Sequence, residues 1–326
     1  MPQVPVSRRV AFWFVALGLA MLAPAGSATA QAPLVEVNMA IGKIAGATDI
    51  YIADKLGYFA QQGLHVNYTF AQSGNDMVSA LQSGKLDIAM AIPGVAFAAR
   101  EKGYKLSLII QNELARDKAP DSGALIVRTD SPITSVKQLA GKKVGQVAIG
   151  NQVWAAVRVV EQKAGVDVNA VQELEMGFPQ MPGALQQGLV DAVAEVEPFT
   201  SMILNAKQGR VISWYYVESV PNQPIGAFWG SDDWLAKNGA TARKFATAVH
   251  KAIVYLNAHP TEAKQYVGEF TGLKPEIVAT MLPIRWDDRV DKAVWNRTVQ
   301  MCITGGYIKS TLNIDEIVPA GALRPQ

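Results

Sequence analysis

The sequence predicts an α/β protein of two lobes, each built on a small doubly wound sheet, with a helical C-terminal segment packed on the first lobe. Three observations predict this fold. Strand and helix patterns alternate from about residue 34 to residue 214, which is typical of parallel sheets covered by helices. Two parts of that region match each other in order and spacing. Beyond about residue 213 the patterns are mostly helical.

The first lobe opens with a strand, a helix and a second strand. The stretch "LVEVNMAIG" (residues 34–42) has the pattern of a strand that leads into a glycine-containing loop. Thr48 or Asp49 can then cap a helix through its side-chain oxygen, and Gly63 suits the left-handed end of that helix. The alternating stretch "LHVNYTF" predicts the second strand. A crossover through a helix implies that the two strands are parallel.

The rest of the first lobe repeats this alternation. The stretch "AQSGNDMVSALQSGKLDIAMA" predicts a loop, a helix from about Asn75 that stops at Gly84, and a short buried strand. The stretch "IPGVAFAAREKG" predicts a loop and a helix, and "YKLSLIIQN" predicts another strand. Each loop that follows a strand is therefore a candidate for ligand contact.

A second copy of the plan begins at Gly141. The stretch "QGLHV" corresponds to "AGVDV", and "ALQSGKLDIAM" corresponds to "ALQQGLVDAVA" at nearly the same distance along the chain. In the second pair a helix ends at glycine, and Asp87 or Asp191 opens an apolar strand. Two matches in the same order predict two lobes of one design.

The C-terminal part lacks a lobe of its own. "PIGAFWGS" predicts a returning strand, and helical patterns follow as far as His259-Pro260, then over about 261–270, 275–282 and 291–304. The simplest packing returns this part to the first lobe. The predicted organisation is a signal peptide (1–30), the first part of lobe one (31–121), an inserted lobe two (122–214), and the return strand with C-terminal helices (215–326).

The N-terminus has the pattern of a cleaved signal peptide. Arg8 and Arg9 precede an apolar stretch at 10–22 that is too short to span a bilayer comfortably, and small residues at 27–30 suit cleavage after Ala30. The alternative is an N-terminal membrane anchor, and "SRRVAF" leaves twin-arginine export open beside the general secretory route. Because Cys302 is the only cysteine, we expect a soluble periplasmic protein that is not a lipoprotein.

Composition excludes several functional classes. The formal net charge of +2 includes the two arginines of the signal peptide, so the mature chain has no basic footprint for nucleic acid. The histidines His65, His250 and His259 share no metal-ligand spacing, and Cys302 has no obvious histidine partner. We therefore expect no metal site, no cofactor and no enzymatic activity.

Four stretches together resemble a known family. "YIADKLGYFAQQGLHV", "ALQSGKLDIAMA", "SVKQLAGKKVGQV" and "DAVAEVEP" resemble the periplasmic substrate-binding proteins of the nitrate/sulfonate/taurine transporter family, which includes thiamine-pyrimidine binders. The resemblance covers nearly the whole mature chain. It implies the periplasmic binding protein type II architecture and a monomer that closes on a small solute and delivers it to the permease and ATPase complex of an ABC importer. A sensor that presents its ligand to a membrane receptor, and more remotely an enzyme on this fold, remain alternatives.

The expected ligand contacts follow from the sheet geometry. Ligands of open α/β sheets lie beyond the carboxyl ends of the strands, near helix N-termini that suit anionic groups. The predicted contacts of lobe one are Lys43, Thr48, Asp49, Ser73, Asn75, Pro93 and Gly94, and those of lobe two and the return strand are Asn151, Gln152, Trp154, Phe178, Glu197 and Trp229. Helix capping is the alternative role for Thr48 and Asn75, and core packing is the alternative for Trp154 and Trp229.

The predicted contacts leave the charge of the solute open. Lys43 and Arg116 are the nearby cations, so most anion-binding capacity would come from helix ends. Asp49 stands where the resemblance leads us to expect proline or an apolar residue, and Glu197 can pair with an amine or with a hinge residue. If the two carboxylates face the cleft, they disfavour a simple oxyanion. A sulfonate, a carboxylate, an aromatic acid and a pyrimidine-like solute all remain possible.

Overall fold

The computed structural model describes residues 33–71 and 74–319, with the backbone alone for 74–76. The predicted signal peptide and Ser73 lie outside the described residues. The strands are β1 (Val35–Ile41), β2 (Leu64–Phe70), β3 (Ile88–Ala91), β4 (Leu106–Leu114), β5 (Gly123–Arg128), β6 (Lys143–Gln146), β7 (Gln172–Glu175), β8 (Ala192–Val196), β9 (Gly209–Ser213) and β10 (Pro224–Ser231).

Helices connect and cover these strands. They are α1 (Thr48–Lys55), α2 (Tyr58–Gln61), α3 (Gly74–Gln82), α4 (Pro93–Glu101), α5 (Gln152–Lys163), α6 (Met181–Gln186), α7 (Phe199–Asn205), α8 (Tyr215–Ser219), α9 (Asp232–Ala258), α10 (Pro260–Thr271), α11 (Pro275–Thr280), α12 (Lys292–Thr304) and α13 (Ile314–Ile317). In the described part of the chain, none of them is both long and apolar enough to cross a membrane.

The strands form two five-stranded sheets with the same layout. The orders are β2-β1-β3-β10-β4 and β7-β6-β8-β5-β9. In the first sheet β1 pairs in parallel with β2 and β3, and β10 runs antiparallel to β3 and β4. In the second, β6 pairs in parallel with β7 and β8, and β5 runs antiparallel to β8 and β9. The predicted α/β fold with two sheets of one plan is confirmed.

The two aspartates that the sequence repeat singles out make the same hydrogen bond in each sheet. The backbone N–H of Asn38 donates to Asp87 Oδ2 at 2.8 Å, and the backbone N–H of Lys143 donates to Asp191 Oδ2 at 2.8 Å. Each aspartate comes shortly after a glycine with positive φ, which lets the chain turn from helix to strand. The carboxylate then ties the start of the central strand, β3 or β8, to the neighbouring parallel strand, β1 or β6.

The start of α1 differs from the prediction. A 3₁₀ turn at Ala45–Ala47 runs directly into the helix, so Ala47 is the N-cap and no side chain caps the first turn. The Thr48 hydroxyl instead donates back to the Ala45 carbonyl at 2.8 Å, and the Asp49 side chain is fully buried. The prediction that Thr48 or Asp49 caps the helix is wrong, because the backbone is already helical before it reaches them.

Strand β4 extends beyond its predicted end at Asn112. The polar residues at its end are buried because tertiary partners satisfy them. Gln111 Nε2 donates to the Asp287 and Arg289 carbonyls at 2.9 Å each, and Asn112 Nδ2 donates to Asp49 Oδ2 at 2.9 Å. These partners lie far away in the sequence, so strand propensity alone ends the strand too early.

The C-terminal helices pack on the first sheet and also reach the second. Helix α9 contacts α1 and β4, whereas α12 contacts α4 and β10 on one side and α5 on the other. The end of α12 approaches α5 so closely that a Cβ atom at Gly305 would lie 2.5 Å from the Ala155 carbonyl oxygen. The close approach of α12 to α5 therefore requires glycine at position 305.

We expect Gly305→Ala to lower the free energy of unfolding by about 1–3 kcal/mol, because the added methyl group overlaps backbone that cannot move away cheaply. Gly183→Ala is the matched control: a Cβ there meets nothing within 4 Å, and alanine favours the helical conformation by up to about 1 kcal/mol. Urea unfolding of both variants measures the difference. Equal stabilities would contradict the proposed close contact.

Candidate functional site

A cavity of about 370 Å³ opens between the two sheets. The positions that directly follow the parallel strands, or come one residue later, supply much of its wall: Gly42, Ala71, Ile92, Val147, Gly177 and Glu197. Ligands of open α/β sheets bind at these carboxyl ends. Both lobes therefore present their ligand-binding edge to one shared cleft.

The walls of the cleft are mainly apolar and aromatic. Phe70 belongs to the first lobe, and Phe178, Phe199 and Tyr216 come from the stretch that includes the second sheet and α8. The rings of Phe178 and Phe199 stack at a centroid distance of 6.4 Å with 17° between their planes. The remaining lining is largely aliphatic. Flat aromatic surfaces and a volume of this size suit a small planar organic molecule.

Few polar side chains line the cleft. Lys43 is the basic one among the described lining residues, and its Nζ lies 5.7 Å from the centroid of the Phe70 ring. Asn151 lines the opposite wall, and its Oδ1 also accepts the Trp154 backbone N–H at 2.8 Å, so it caps α5 as predicted. The other ionisable groups of the wall are two glutamates and a tyrosine.

Glu113, near the end of β4, is an acidic lining residue that the sequence analysis did not predict. Only 6% of the residue is exposed, and its Oε2 occupies the space of a side chain at Gly46, where a Cβ would lie 1.9 Å away. Burial, and then the carboxylates of Asp121 and Asp49, raise the pKa of Glu113 to about 8. The sequence feature that could have identified Glu113 is the polar run Gln-Asn-Glu at the end of an apolar strand, because ligands of α/β sheets bind at the carboxyl ends of strands.

Glu197, a predicted ligand contact, lines the cavity on the side of the second sheet. Its Oε1 accepts the Ser201 hydroxyl at 2.8 Å, and its Oε2 accepts the Ser201 backbone N–H at 3.2 Å. Burial raises the pKa of Glu197 to about 7, although these bonds oppose the shift. Both oxygens of Glu197 thus have partners, whereas no described group donates to Glu113.

The structure places four predicted contacts on the cleft wall: Lys43, Asn151, Phe178 and Glu197. Ser73 lies outside the described residues, and Asn75 lies in α3 with its side chain not described. The remaining predicted contacts do not line the cavity.

Asp49 lies behind the cleft wall rather than on it. Its Oδ2 accepts Asn112 Nδ2, its Oδ1 accepts the Ile50 backbone N–H at 2.8 Å, and burial raises its pKa to about 7. Thr48 is likewise fully buried. Asp49 therefore does not line the cavity, but its carboxyl acts on Glu113.

The two predicted tryptophans have core positions. Trp229 is 1% exposed, and its indole Nε1 donates to the Ala91 carbonyl at 2.9 Å. The Trp154 ring packs against the Arg158 guanidinium, which lies 4.5 Å from the ring centroid. Pro93 is the first residue of α4 and is buried there. Local spacing, helical for Trp154 and strand-like for Trp229, could not separate these roles from a place on the cleft wall.

Gln152 and Gly94 meet each other instead of a ligand. Gln152 Oε1 accepts the Gly94 backbone N–H at 2.7 Å, and its Nε2 donates to Gln223 Oε1 at 3.0 Å and to the Pro224 carbonyl at 2.9 Å. A Cβ at Gly94 would lie 2.8 Å from Gln152 Cβ. This Gln152 bridge joins the starts of α4 and α5 to the segment that returns to the first sheet.

Other reactive side chains lie away from the cleft. His250 pairs with Asp288, and His65 pairs with Glu36 at the surface. Cys302 is fully buried, and burial raises its pKa, so the thiol is unreactive. Within the described ranges, no three histidine, cysteine, aspartate or glutamate residues are arranged to hold a metal ion.

A second buried acid, Glu161, lies on α5 outside the cleft. Its carboxyl oxygens have no hydrogen-bond partner among the described residues. Burial and the neighbouring Glu173 raise the pKa of Glu161 to about 8, against the attraction of Arg158. Glu161 resembles Glu113 in burial and pKa but does not face the cavity, so it serves as a matched control for it.

Comparisons with known proteins agree with this arrangement. The model of the NMT1/THI5-like family matches residues 45–263. The putative binding protein YtlA of Bacillus subtilis is 24% identical over 242 residues, which cover 72% of this chain and 70% of YtlA. The formylaminopyrimidine-binding protein of Halalkalibacterium halodurans is 23% identical over 219 residues, covering 66% and 64% of the two chains.

An enzyme and a solved binding protein are also similar. The 4-amino-5-hydroxymethyl-2-methylpyrimidine phosphate synthase THI13 of Saccharomyces cerevisiae is 24% identical over 239 residues, covering 70% of this chain and 67% of the synthase. The periplasmic aliphatic sulphonate binding protein SsuA from Escherichia coli has a TM-score of 0.72 at 17% identity, covering 87% and 97% of the chains. This likeness confirms the predicted two-lobed fold.

We expect Gln152→Ala to lower the free energy of unfolding by about 2–3 kcal/mol, because it leaves the buried Gly94 N–H and the Gln223 amide without their partner. Gln162→Ala, on the exposed side of the same helix, should change stability by about 0.5 kcal/mol or less. Chemical denaturation compares them. Similar effects of the two substitutions would show that the bridge contributes little.

We expect Glu161→Gln to become more stable than the parent chain as the pH rises from 5 to 8. A carboxyl with a raised folded pKa contributes stability below its unfolded pKa, and this contribution is lost as the pH rises to the folded value of about 8. The relative gain should be about 2–4 kcal/mol across this range. Unfolding measured at both pH values checks it, with the exposed Asp54→Asn as the control that should show no such gain.

Proposed function

The chain belongs to the NMT1/THI5-like family, and we propose that it is the solute-binding component of an ABC importer. The observation that supports this most directly is the cleft, which receives the carboxyl ends of parallel strands from two separate sheets. A ligand in that position touches both lobes at once, so binding can favour a closed arrangement of the lobes. A protein that captures and hands over a solute needs this property.

The proposal includes the compartment and the partner. We place the mature protein in the periplasm, exported by cleavage of residues 1–30 and without a lipid anchor. It would act as a monomer and contact the permease of the importer. The proposed lobes are 31–121 with 215–326, and 122–214. In support, every strand of the second sheet lies between Gly123 and Ser213, and β10 returns to the first sheet.

A planar organic solute fits the cleft better than a small inorganic anion. The wall offers the stacked rings of Phe178 and Phe199 and much aliphatic surface. Among its described residues, Lys43 is the one basic side chain that could bind an anion. The relatives include a formylaminopyrimidine-binding protein. Among the solute classes left open by the sequence, pyrimidine-like and other ring compounds are therefore favoured over nitrate or a short sulfonate.

Catalysis is the second candidate, because the pyrimidine phosphate synthase THI13 is among the relatives. The described lining of the cleft contains two glutamates with pKa values near neutral pH, which could act as general bases, but no histidine or cysteine beside them. This favours capture over turnover. A sensing role would use the same cleft and differ in its membrane partner, so copurification with a permease or with a receptor distinguishes the two.

We expect ring compounds to raise the melting temperature of the mature protein, because a ligand that binds only the folded state stabilises it by mass action. The panel is formylaminopyrimidine, benzoate, benzenesulfonate, benzamidine, methanesulfonate and nitrate. Phe178→Ala should weaken the binding of any hit about tenfold through lost stacking and burial. Tyr104→Ala, an exposed aromatic outside the cleft, should leave it unchanged. A panel without any shift would reject the binding function.

A further inference from the structure

We propose that the cleft selects an organic base, and that Glu113 is the residue that accepts the N–H donors of that base. This inference rests on the proposed function, since it names the class of solute that the same cleft takes. It is carried by three observations: the position of the Glu113 carboxyl, the acids around it and the flat walls beside it.

The Glu113 carboxyl lines the cavity and accepts no hydrogen bond from the described residues. Only 6% of the Glu113 residue is exposed, and that part lines the cavity. Gly46 leaves the space that Oε2 occupies, and Gly226 lies against its Cβ. The Glu113 carboxyl oxygens are not among the enclosed atoms that lack a hydrogen-bond partner, so they are open to the cavity. A ligand N–H would supply the missing bond.

The acids around Glu113 disfavour an anion. Asp49 faces it from α1, and Asp121 faces it from the crossover between β4 and β5. Tyr216 of α8 lies close to both Glu113 and Asp121. On the opposite wall stands Glu197. Because these acids are clustered, each raises the cost of further negative charge in the cleft, and the cluster favours a cation or a strong N–H donor.

Three basic side chains near the cleft, those of Arg116, Arg285 and Lys264, hydrogen-bond backbone carbonyls. The guanidinium groups of Arg116 and Arg285 act on Asp121, and both arginines hydrogen-bond backbone carbonyls. Lys264, near Glu197, donates to the Ala279 carbonyl at 2.7 Å. Lys43 is exposed beside Phe70. An anion that entered the cleft would therefore meet carboxyl groups without a buried cation to neutralise it.

The shape of the cleft suits a planar base. A carboxylate accepts two parallel N–H bonds from an amidine-like edge, which fixes the base in the plane of the carboxylate. The rings of Phe178 and Phe199 offer flat surface in the same cavity. A base held in this way would use the carboxyl of lobe one and the aromatic wall of lobe two, so it would contact both lobes.

Binding of a cation should release a proton. Before binding at neutral pH the Glu113 carboxyl holds its proton, because burial and neighbouring acids raise its pKa to about 8. When a cationic base binds, Glu113 gives that proton to solvent and becomes the carboxylate that pairs with the base. The affinity should then rise about tenfold per pH unit between pH 6 and 8. Glu197 can add to this slope only near and below about pH 7.

Three probes of one size separate charge from shape: benzamidine, benzamide and benzoate. We expect benzamidine to bind the mature protein at least tenfold more tightly than benzoate in calorimetric titrations at pH 7.5, with benzamide between them. The comparison uses the unmodified sequence, so it does not depend on the folding of a variant. Benzoate binding as tight as that of benzamidine would overturn the proposal.

The second arm tests the residue. Glu113→Gln should lose at least tenfold in benzamidine affinity and flatten its pH dependence between pH 7 and 8, whereas Glu161→Gln should keep both, because this acid of similar pKa lies outside the cleft. Unchanged affinity and slope in Glu113→Gln would also overturn the proposal. If benzamidine fails to bind while another ring compound of the larger panel binds, this inference fails and the proposed function stands. If nothing binds in either panel, both fail.

Discussion

The Gln152 bridge is the contact on which the arrangement of the two lobes depends. One buried amide accepts the first N–H group of α4, that of Gly94, and donates to Gln223 and to the Pro224 carbonyl at the start of β10. One apolar cluster includes strand residues of both sheets, among them Ala89 of β3 and Val144 of β6, together with helix residues such as Val153 of α5. Because this bridge holds the starts of α4 and α5 together, it fixes the distance between the two cleft walls beside them.

The acids around the cleft have unequal hydrogen bonding, and this inequality directs the chemistry of the site. Asp49 accepts Asn112 and a backbone N–H, and Glu197 accepts Ser201 twice, so their burial is partly compensated. Glu113 receives no such bond from the described residues. The fold has accommodated its carboxyl by placing glycine at position 46. A group held in this way is better suited to a ligand than to stabilising the protein.

Local patterns predicted a large part of the fold and some of the site. The repeated helix–glycine–aspartate–strand junction predicted two sheets of one plan, and the structure shows the same hydrogen bond at Asp87 and Asp191. Asn151 caps α5 as its position before an apolar helix indicated. The same patterns were wrong about the Thr48 cap and left Glu113 unnoticed. A cap can be replaced by a preceding turn, and a strand can continue through polar residues when distant partners bind them.

The sequence by itself determined the fold class, the order of the elements and the edge of each sheet at which a ligand binds. These properties depend on residue periodicity and on which loops follow strands, and both are local. Only the tertiary structure decided which side chains face the cleft. Lys43 lines it and Thr48 in the same loop does not, because the 3₁₀ turn between them redirects the chain. Gln152 was predicted to contact the ligand, but its amide hydrogen-bonds Gly94 and Gln223 instead. Both residues lie far from Gln152 in sequence and next to it in space.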